Sequence, residues 1–288
     1  MNRKKRIAFQ GRHGAYSESA AYYLFGKDIT VVPMHSFEEI YQGIETGLID
    51  GGAIPIENST AGSVYENFDL LYKWRHPIVG EMTLQIEHTL CAIKGTRVED
   101  LRRVLSHPQG LAQCSRFFSQ HPVIEKVPFF DTAGSAEEIA KRNTHTDGAI
   151  ASTFAAKYYD LEILQSGIEN MKGINFTRFY AIQKESLELP KNGDIRTVLL
   201  FELKSVNSSG SLYNALGCFA SRHLNLTRIE SRPHPDRPWE YIFHLSFEGS
   251  PSDPVVKEAL QELQQYTDFI YRLGSFQKGS TQGLMFEV

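Results

Sequence analysis

Short apolar runs alternate with helix-like segments along the first part of the chain. Residues 7–9 and 29–32 are apolar enough to form buried strands, and Ser17 and Ser36 each stand where a helix N-cap is expected. Glu39 completes a capping box with Ser36. This alternation predicts a parallel α/β sheet, in which ligands bind beyond the carboxyl ends of the strands.

A polar cluster follows the third predicted strand. The apolar stretch that ends at Ile56 leads directly into Glu57, Asn58 and Ser59. At the carboxyl end of a parallel strand, these side chains predict a ligand site. The alternative is an Asn- and Ser-rich turn that caps a helix over residues 64–72, and the sequence leaves both interpretations open.

The middle third repeats the pattern and predicts a second lobe. An extended stretch over residues 78–93 is long enough to cross from one lobe to the other. His107 follows the next predicted strand, and Gln113 lies on the helix after it. Both are candidates for the site, although a histidine before a proline at a strand end is also typical of a turn.

A hydroxyl and a guanidinium are adjacent in a strand-like run near residue 180. Asn175, Thr177 and Arg178 belong to this run, which ends in apolar residues. Because side chains alternate along a strand, Thr177 and Arg178 are expected on opposite faces unless a bulge or a strand end redirects one of them. The run is either part of a site or an ordinary half-exposed strand.

The pattern changes after a proline- and glycine-containing stretch at residues 189–194, which suits a linker. Strands are predicted at residues 197–203, 226–230, 241–247 and 269–273, and helices at residues 209–223 and 253–265. The order strand, helix, strand, strand, helix, strand is that of a ferredoxin-like α+β domain.

Composition narrows the function classes. The chain has 288 residues, 41% of them hydrophobic and 22% charged, so two globular domains are expected. The net charge of -4 gives no general attraction to nucleic acid, and no apolar stretch has the length of a membrane span. The three cysteines are too far apart for a metal or redox pair. We expect a cytoplasmic protein that binds neither nucleic acid nor membrane.

Several short motifs occur together in a characteristic order, and through them the chain resembles prephenate dehydratase with a C-terminal ACT regulatory domain. The residues that carry the resemblance are Gly11, Gly14, Tyr16 and Ser17; Pro55 to Ser59 with Gly62 and Val64; His107, Pro108, Gln109, Gln113 and Cys114; Asp131, Thr132 and Ala133; Asn175 to Phe179; Gly210, Ser211 and Leu212; and Glu230, Ser231, Arg232 and Pro233.

The resemblance implies a fold and domain bounds. It predicts an α/β catalytic region of two lobes, similar to type 2 periplasmic binding proteins, over residues 1–187. The first lobe comprises about 1–85 with 165–187, and the second about 86–164. A linker at 188–194 and an ACT domain at 195–288 follow. ACT domains pair side by side, so a homodimer or homotetramer is expected.

The resemblance also implies a reaction. Prephenate loses carbon dioxide and its 4-hydroxyl as the ring aromatises to phenylpyruvate, without a metal or cofactor. Thr177 donates a hydrogen bond to the departing hydroxyl, Arg178 binds a carboxylate, and Glu57 is the candidate proton donor, with His107 as its rival. The residues expected to bind substrate are Asn58, Ser59, His107, Gln113, Asn175 and Phe179.

L-Phenylalanine is the expected allosteric effector. The resemblance assigns its site to Gly210, Ser211, Leu212, Glu230, Ser231, Arg232 and Pro233. Two alternatives stay open: an arogenate dehydratase, whose substrate carries an amino group in place of the keto oxygen, and a non-catalytic amino-acid-sensing protein.

Overall fold

A computed structural model describes residues 3–189, 193–204 and 208–279, and the backbone of 281–282. The chain divides into two compact units. The described residues of 1–63 and Met82–Phe179 form the first unit, and Val64–Glu81 with the described part of Tyr180–Gly279 forms the second. Residues 190–192 of the predicted linker lie outside the described residues, and the predicted domain bounds stay a prediction.

The first lobe is built from strands β1 (Lys5–Gln10), β2 (Ile29–Met34), β3 (Gly51–Asn58) and β4 (Gly62–Ser63), with helices α1 (Tyr16–Phe25) and α2 (Phe37–Glu45). Strand β1 runs parallel to both β2 and β3, as the alternating pattern predicts. The capping box is confirmed at one bond, since Ser36 Oγ accepts from the Glu39 N–H over 3.3 Å.

Helix α1 begins differently from the prediction. Ala15, not Ser17, occupies its N-cap position and makes no side-chain cap. The buried carboxylate of Glu18 instead accepts from the Gly14 N–H over 2.6 Å. A carboxylate in the first turn satisfies an amide that an N-cap side chain would otherwise bind.

Helix α3 (Tyr65–Trp74) and strand β5 (Ile78–Gln85) follow, and then the second lobe. Its elements are β6 (Thr89–Ala92), β7 (Arg103–Ser106), α4 (Pro108–Gln113), α5 (Ser115–Gln120), β8 (Glu125–Pro128), α6 (Thr132–Arg142), β9 (Asp147–Ala151), α7 (Thr153–Tyr158) and β10 (Glu162–Ser166). Its sheet has the order β10-β6-β9-β7-β8. The sheet is mixed, because β7 is parallel to β8 and β9 while β6 is antiparallel to β9 and β10.

The two lobes of the first unit meet at the loop after β1. The Ser152 hydroxyl donates to the Gly14 carbonyl oxygen over 2.7 Å. Gly14 has φ +88°, and a Cβ there would lie 2.5 Å from the Ala155 Cα. Glycine is therefore required here for both the backbone conformation and the close approach of the lobes.

Strand β11 (Phe176–Gln183) returns to the sheet of the first lobe, whose order is β16-β5-β11-β3-β1-β2, with the short strand β16 (Thr281–Gln282) at the edge beside β5. The neighbours β11 and β3 carry the two polar segments singled out in the sequence. Residues 174–178 are thus brought beside residues 57–59, although more than a hundred residues separate them along the chain.

The second unit contains the predicted ferredoxin-like arrangement. Its elements are β12 (Ile195–Leu203), α8 (Ser211–Ala220), β13 (Leu226–Pro233), β14 (Tyr241–Glu248), α9 (Pro254–Leu263) and β15 (Thr267–Gln277). The strand order is β13-β14-β12-β15, and each neighbouring pair is antiparallel. Phe201, Phe219 and Phe247 belong to its buried core, which also includes side chains of α8 and α9.

Helix α3 packs within this second unit. The Phe68 ring meets the His244 ring edge-on at 4.9 Å, and the guanidinium of Arg232 forms two bonds, of 2.8 and 2.9 Å, with the Asp69 carboxylate. Residues 64–81 thus pack against the C-terminal elements, although the sequence assigned them to the first lobe.

Candidate active site

The end of β3 and the start of β11 are joined through Ser59. Its backbone N–H donates to the Phe176 carbonyl over 2.8 Å, and its hydroxyl oxygen accepts from the Phe176 N–H, also over 2.8 Å. The same hydroxyl donates to the Ile174 carbonyl over 2.5 Å. Through these three hydrogen bonds, Ser59 holds the end of β3 against the start of β11.

Asn58 has a defined amide orientation. Its Oδ1 accepts from the backbone N–H groups of Thr60 and Ala61, over 3.0 and 2.9 Å. Because a backbone N–H can only donate, the amide nitrogen must face the other way. There it donates to Thr177 Oγ1 over 2.9 Å and to Asn175 Oδ1 over 2.8 Å. The Thr177 hydroxyl accepts this bond and retains its own proton for another acceptor.

Gln113 reaches this cluster from α4 of the second lobe. Its Nε2 donates to Thr60 Oγ1 over 2.8 Å, and its Oε1 accepts from Asn175 Nδ2 over 3.4 Å. Gln113, Thr60 and Asn175 line a cavity of about 370 Å³ together with Gln109 and Glu169. Side chains from both lobes thus line one cavity, and Thr177 lies two residues from Asn175 on the same strand face.

Arg178 and Glu57 form a separate ion pair. Arg178 Nη1 lies 3.4 Å from Glu57 Oε2, and these side chains are 29% and 39% exposed. Glu57 directly precedes Asn58, and Arg178 directly follows Thr177. Because side chains alternate along a strand, Glu57 and Arg178 are directed to the other face of the sheet. The expected split between Thr177 and Arg178 is therefore present.

Two other predicted residues are not brought to this cluster. His107 is exposed at the start of α4, where its Nδ1 accepts from the Gln109 N–H over 3.2 Å. Phe179 is 2% exposed and belongs to the apolar core of the first lobe. Because side chains alternate along β11, Phe179 lies on the same face as Thr177, two residues further along the strand, where it packs in the apolar core.

Sequence reasoning missed His88. It is 3% exposed, and its Nε2 lies 2.7 Å from Gln113 Oε1. Burial lowers the pKa of this imidazole, so it is neutral at pH 7. No sequence signal identified it, because His88 lies in an extended segment with no motif spacing to Gln113.

The buried thiols offer little alternative chemistry. Burial raises the pKa of Cys91 and of Cys114 to about 12, so neither is a thiolate at neutral pH.

Among the residues that the structure describes, no three His, Cys, Asp or Glu side chains are grouped as metal ligands. None of the described helices is long and apolar enough to cross a bilayer.

The predicted effector residues lie at two places in the second unit. Gly210 precedes α8 with φ +84°, Ser211 donates to the Ser208 carbonyl over 3.0 Å, and Leu212 packs against the apolar core. Residues 230–233 form the end of the edge strand β13, where the Arg232 guanidinium also lies 4.6 Å from the centre of the Tyr65 ring.

Comparison with known proteins identifies the relatives of the chain. A family model described as prephenate dehydratase matches residues 7–187. Arogenate dehydratase/prephenate dehydratase 2 of Arabidopsis thaliana is 40% identical over 285 residues, which cover 96% of this chain and 74% of that protein. Arogenate dehydratase 1 of Petunia hybrida is 38% identical, with 94% of this chain and 66% of that protein covered.

Solved structures agree with this relationship. Prephenate dehydratase of Arthrobacter aurescens in complex with L-Phe superimposes with a TM-score of 0.86 at 28% identity, covering 95% of this chain and 90% of that chain. GqqA, described as a novel type of quorum quenching acylase, gives a TM-score of 0.87 at 34% identity, with 95% and 98% covered.

The relatives correct one prediction. Several of them are described as chloroplastic, among them the Arabidopsis protein that is 40% identical, so the predicted cytoplasmic location is wrong. The fold, the family match over residues 7–187 and the relatives that cover nearly the whole of this chain lead to one conclusion. The chain belongs to the prephenate dehydratase family.

Proposed function

We propose that the chain catalyses the decarboxylating dehydration of arogenate, of prephenate, or of both. Arogenate is placed first because the relatives at 38 to 40% identity carry arogenate dehydratase in their names. The observation that supports the chemistry most directly is the hydrogen bond from Asn58 to Thr177, since it leaves the threonine hydroxyl as a donor.

The two substrates share the reacting ring. The ring carboxylate leaves as carbon dioxide, and the electron pair of its bond to the ring forms the new double bond as the 4-hydroxyl departs. The departing oxygen gains negative charge, and it leaves as water once it has taken a proton. A hydrogen bond from Thr177 stabilises that charge, and losing such a donor typically costs roughly a hundredfold to a thousandfold in rate.

Neutral donors are available for the carboxylates of the substrate. The amide groups of Gln113 and Asn175 line the cavity, and Asn58 and Ser59 hold the strand ends that support them. The roles of Arg178 as a carboxylate partner and of Glu57 as a proton donor stay predictions, and the ion pair that joins them on the sheet face opposite Thr177 does not support them.

Turnover of both substrates tests the proposal. Purified protein is incubated with arogenate, with formation of phenylalanine followed, and with prephenate, with formation of phenylpyruvate followed. We expect conversion of at least one, with the larger kcat/KM for arogenate. The Thr177→Val variant serves as the matched control. If neither substrate is converted, the proposal fails and a non-catalytic sensing protein becomes the better interpretation.

We further propose that residues 195–288 form an ACT domain that binds L-phenylalanine and mediates homodimer or homotetramer formation. Its ferredoxin-like order supports this, as does the related Arthrobacter aurescens enzyme, whose structure is a complex with L-Phe. Calorimetric titration with L-phenylalanine and the molecular mass in solution test the two parts separately.

Truncation after residue 194 is a poor test of this regulation. The carboxylate of Glu81 pairs with Arg196, and these side chains are only 4% and 8% exposed. Deletion of the C-terminal elements would remove the partner of a buried charge, which is strongly destabilising. Point substitutions within the second unit are therefore preferable.

Acylase activity is the second candidate, because the GqqA match covers almost the whole chain at 34% identity. The hydrogen bond at Thr177 argues against this activity. The neighbour of that hydroxyl is an amide N–H2 group, which donates and cannot remove a proton from a nucleophile. Hydrolysis of the amide bond of an N-acyl amine, with water taking the acyl group and the amine leaving, would argue for a separate acylase site if it survives Thr177→Val.

A further inference from the structure

The imidazole of His88 is held rigidly behind the cavity wall. Its backbone N–H donates to Glu169 Oε2 over 3.1 Å, and its carbonyl accepts from the Ile168 N–H, also over 3.1 Å. The ring of Tyr16 meets it edge-on at 6.4 Å. Its Nδ1 has no hydrogen-bond partner among the described residues. Within the described part of the chain, the one hydrogen bond of the ring is therefore from Nε2 to Gln113 Oε1.

The direction of each hydrogen bond in the cluster follows from the backbone. Asn58 Oδ1 also lies 2.7 Å from Thr60 Oγ1, and because that oxygen can only accept, the threonine hydroxyl donates to it. Thr60 must then accept at its other contact, so the atom of Gln113 that faces it is the N–H2 group. The amide oxygen of Gln113 consequently faces His88, and the proton of the neutral imidazole lies on Nε2.

We propose that His88 is a positioning residue that binds the amide oxygen of Gln113 through Nε2–H and so turns the amide N–H2 group toward Thr60 and the cavity, where its second hydrogen binds a carboxylate oxygen of the substrate. This inference rests on the proposed function. It makes the Gln113 side of the cavity a hydrogen-bond donor, which suits the carboxylates that arogenate and prephenate share.

Loss of the imidazole removes this constraint. Without His88, the partly buried amide oxygen of Gln113 loses its shortest hydrogen bond, and rotation of the amide to regain a partner would turn an acceptor toward the substrate. The consequence is weaker binding of an anion and little change in the chemical step at Thr177, because the backbone N–H groups of Thr60 and Ala61 still fix Asn58.

The test compares His88→Phe, which keeps a ring without a donor, with His88→Gln, whose amide can donate as Nε2–H does. For His88→Phe we expect KM to rise roughly tenfold for both substrates, the scale of one hydrogen bond to a charged group, with kcat within about threefold. His88→Gln should restore KM to within about threefold. Equal KM values for the two variants, or an unchanged KM in His88→Phe, would overturn the proposal.

A double-mutant cycle with Gln113→Leu separates positioning from a general loss of structure. If His88 acts through Gln113, His88→Phe adds nothing to KM once Gln113 is absent. An independent rise in KM in the double variant would instead assign His88 a role of its own.

Two measurements do not depend on turnover. Nitrogen-15 NMR of the wild-type protein should show the Nε2–H tautomer of His88, and an Nδ1–H tautomer would refute the inference. Calorimetry with phenylpyruvate as a carboxylate probe should show weaker binding by His88→Phe than by His88→Gln. If the wild type converts neither arogenate nor prephenate, the proposed function fails, while the NMR result still decides the orientation of Gln113.

Discussion

The amide nitrogen of Asn58 donates to the hydroxyl oxygen of Thr177 over 2.9 Å, and two backbone N–H groups hold the opposite end of the Asn58 amide. A weakly acidic hydroxyl gains most as a hydrogen-bond donor when its own lone pair is already engaged, because successive hydrogen bonds polarise one another. Asn58 therefore determines what Thr177 can do as well as where it lies.

Thr177→Val should lower kcat roughly a hundredfold to a thousandfold, because the variant keeps the branched shape and loses the donor. Thr177→Ser keeps the hydroxyl, and we expect a loss below about tenfold from its freer χ1 angle. Steady-state kinetics on arogenate and prephenate measure both, with the melting temperature as a control for folding. A Thr177→Val enzyme with wild-type kcat would exclude the threonine from the reaction.

Asn58→Asp should be more damaging than Asn58→Ala. A carboxylate can keep both backbone N–H bonds, yet it only accepts, so the Thr177 hydroxyl would turn and donate to it. We expect kcat to fall by at least about a hundredfold, as for loss of the donor itself. Asn58→Ala removes the orienting amide without reversing it and should lie between that variant and the wild type. Equal kcat values in the two variants would contradict the orienting role.

The sequence predicted the individual residues of this cluster better than their relationships. Asn58 ends strand β3, at the edge where parallel α/β sheets bind ligands, whereas Asn175 and Thr177 lie at the start of β11 and Gln113 is the last residue of α4. Their mutual orientation depends on the backbone turn at residues 60–61, which apolar patterning does not encode. His88 was not predicted for a related reason, since a buried histidine in an extended segment has no periodic pattern in the sequence.

Helix α3 shows a second limit of sequence reasoning. Its apolar side, with Phe68, predicts that the helix packs on a sheet but does not specify which one. The choice follows from side chains that are distant in sequence, chiefly His244 and Arg232. The ferredoxin-like order was predictable because its strands and helices are regular and its connections are short.

Glu57→Gln should keep kcat within about threefold, because the Glu57 carboxylate pairs with Arg178 on the sheet face opposite Thr177. Arg178→Gln should likewise leave KM within about threefold, since the pair lies on the sheet face opposite Thr177. Kinetics of both variants at pH 7 measure this. A hundredfold loss of kcat in Glu57→Gln would keep Glu57 as the acid, and a large rise in KM in Arg178→Gln would keep Arg178 as the carboxylate partner.

His244 should make the protein sensitive to acid. Burial, with the nearby charges of Arg228 and Arg232, lowers its pKa to about 3. A histidine in the unfolded chain titrates near pH 6.5, so on acidification the unfolded state binds this proton before the folded state does. The free energy of unfolding that is present above pH 6.5 is therefore lost as the pH falls toward 3.

The free energy of unfolding should therefore fall by about 2 to 3 kcal/mol between pH 7 and pH 4.5 through this residue alone. Chemical denaturation at both pH values measures the difference. His244→Leu should remove this part of the loss, whereas substitution of the exposed His35 by leucine should retain it. The same pH dependence in His244→Leu and the wild type would assign the acid sensitivity to other groups.

Gly210→Ala should weaken inhibition by L-phenylalanine without changing turnover. The glycine has φ +84°, and no atom lies within 4 Å of where its Cβ would stand, so a methyl group there fills the open space that the effector would approach. The half-inhibiting concentration should rise roughly tenfold, within the usual range of allosteric coupling. Gly217→Ala is the matched control, because its Cβ also meets nothing while its backbone lies within α8. If Gly217→Ala weakens inhibition as much as Gly210→Ala, the effect comes from the helix and not from an effector site at its start.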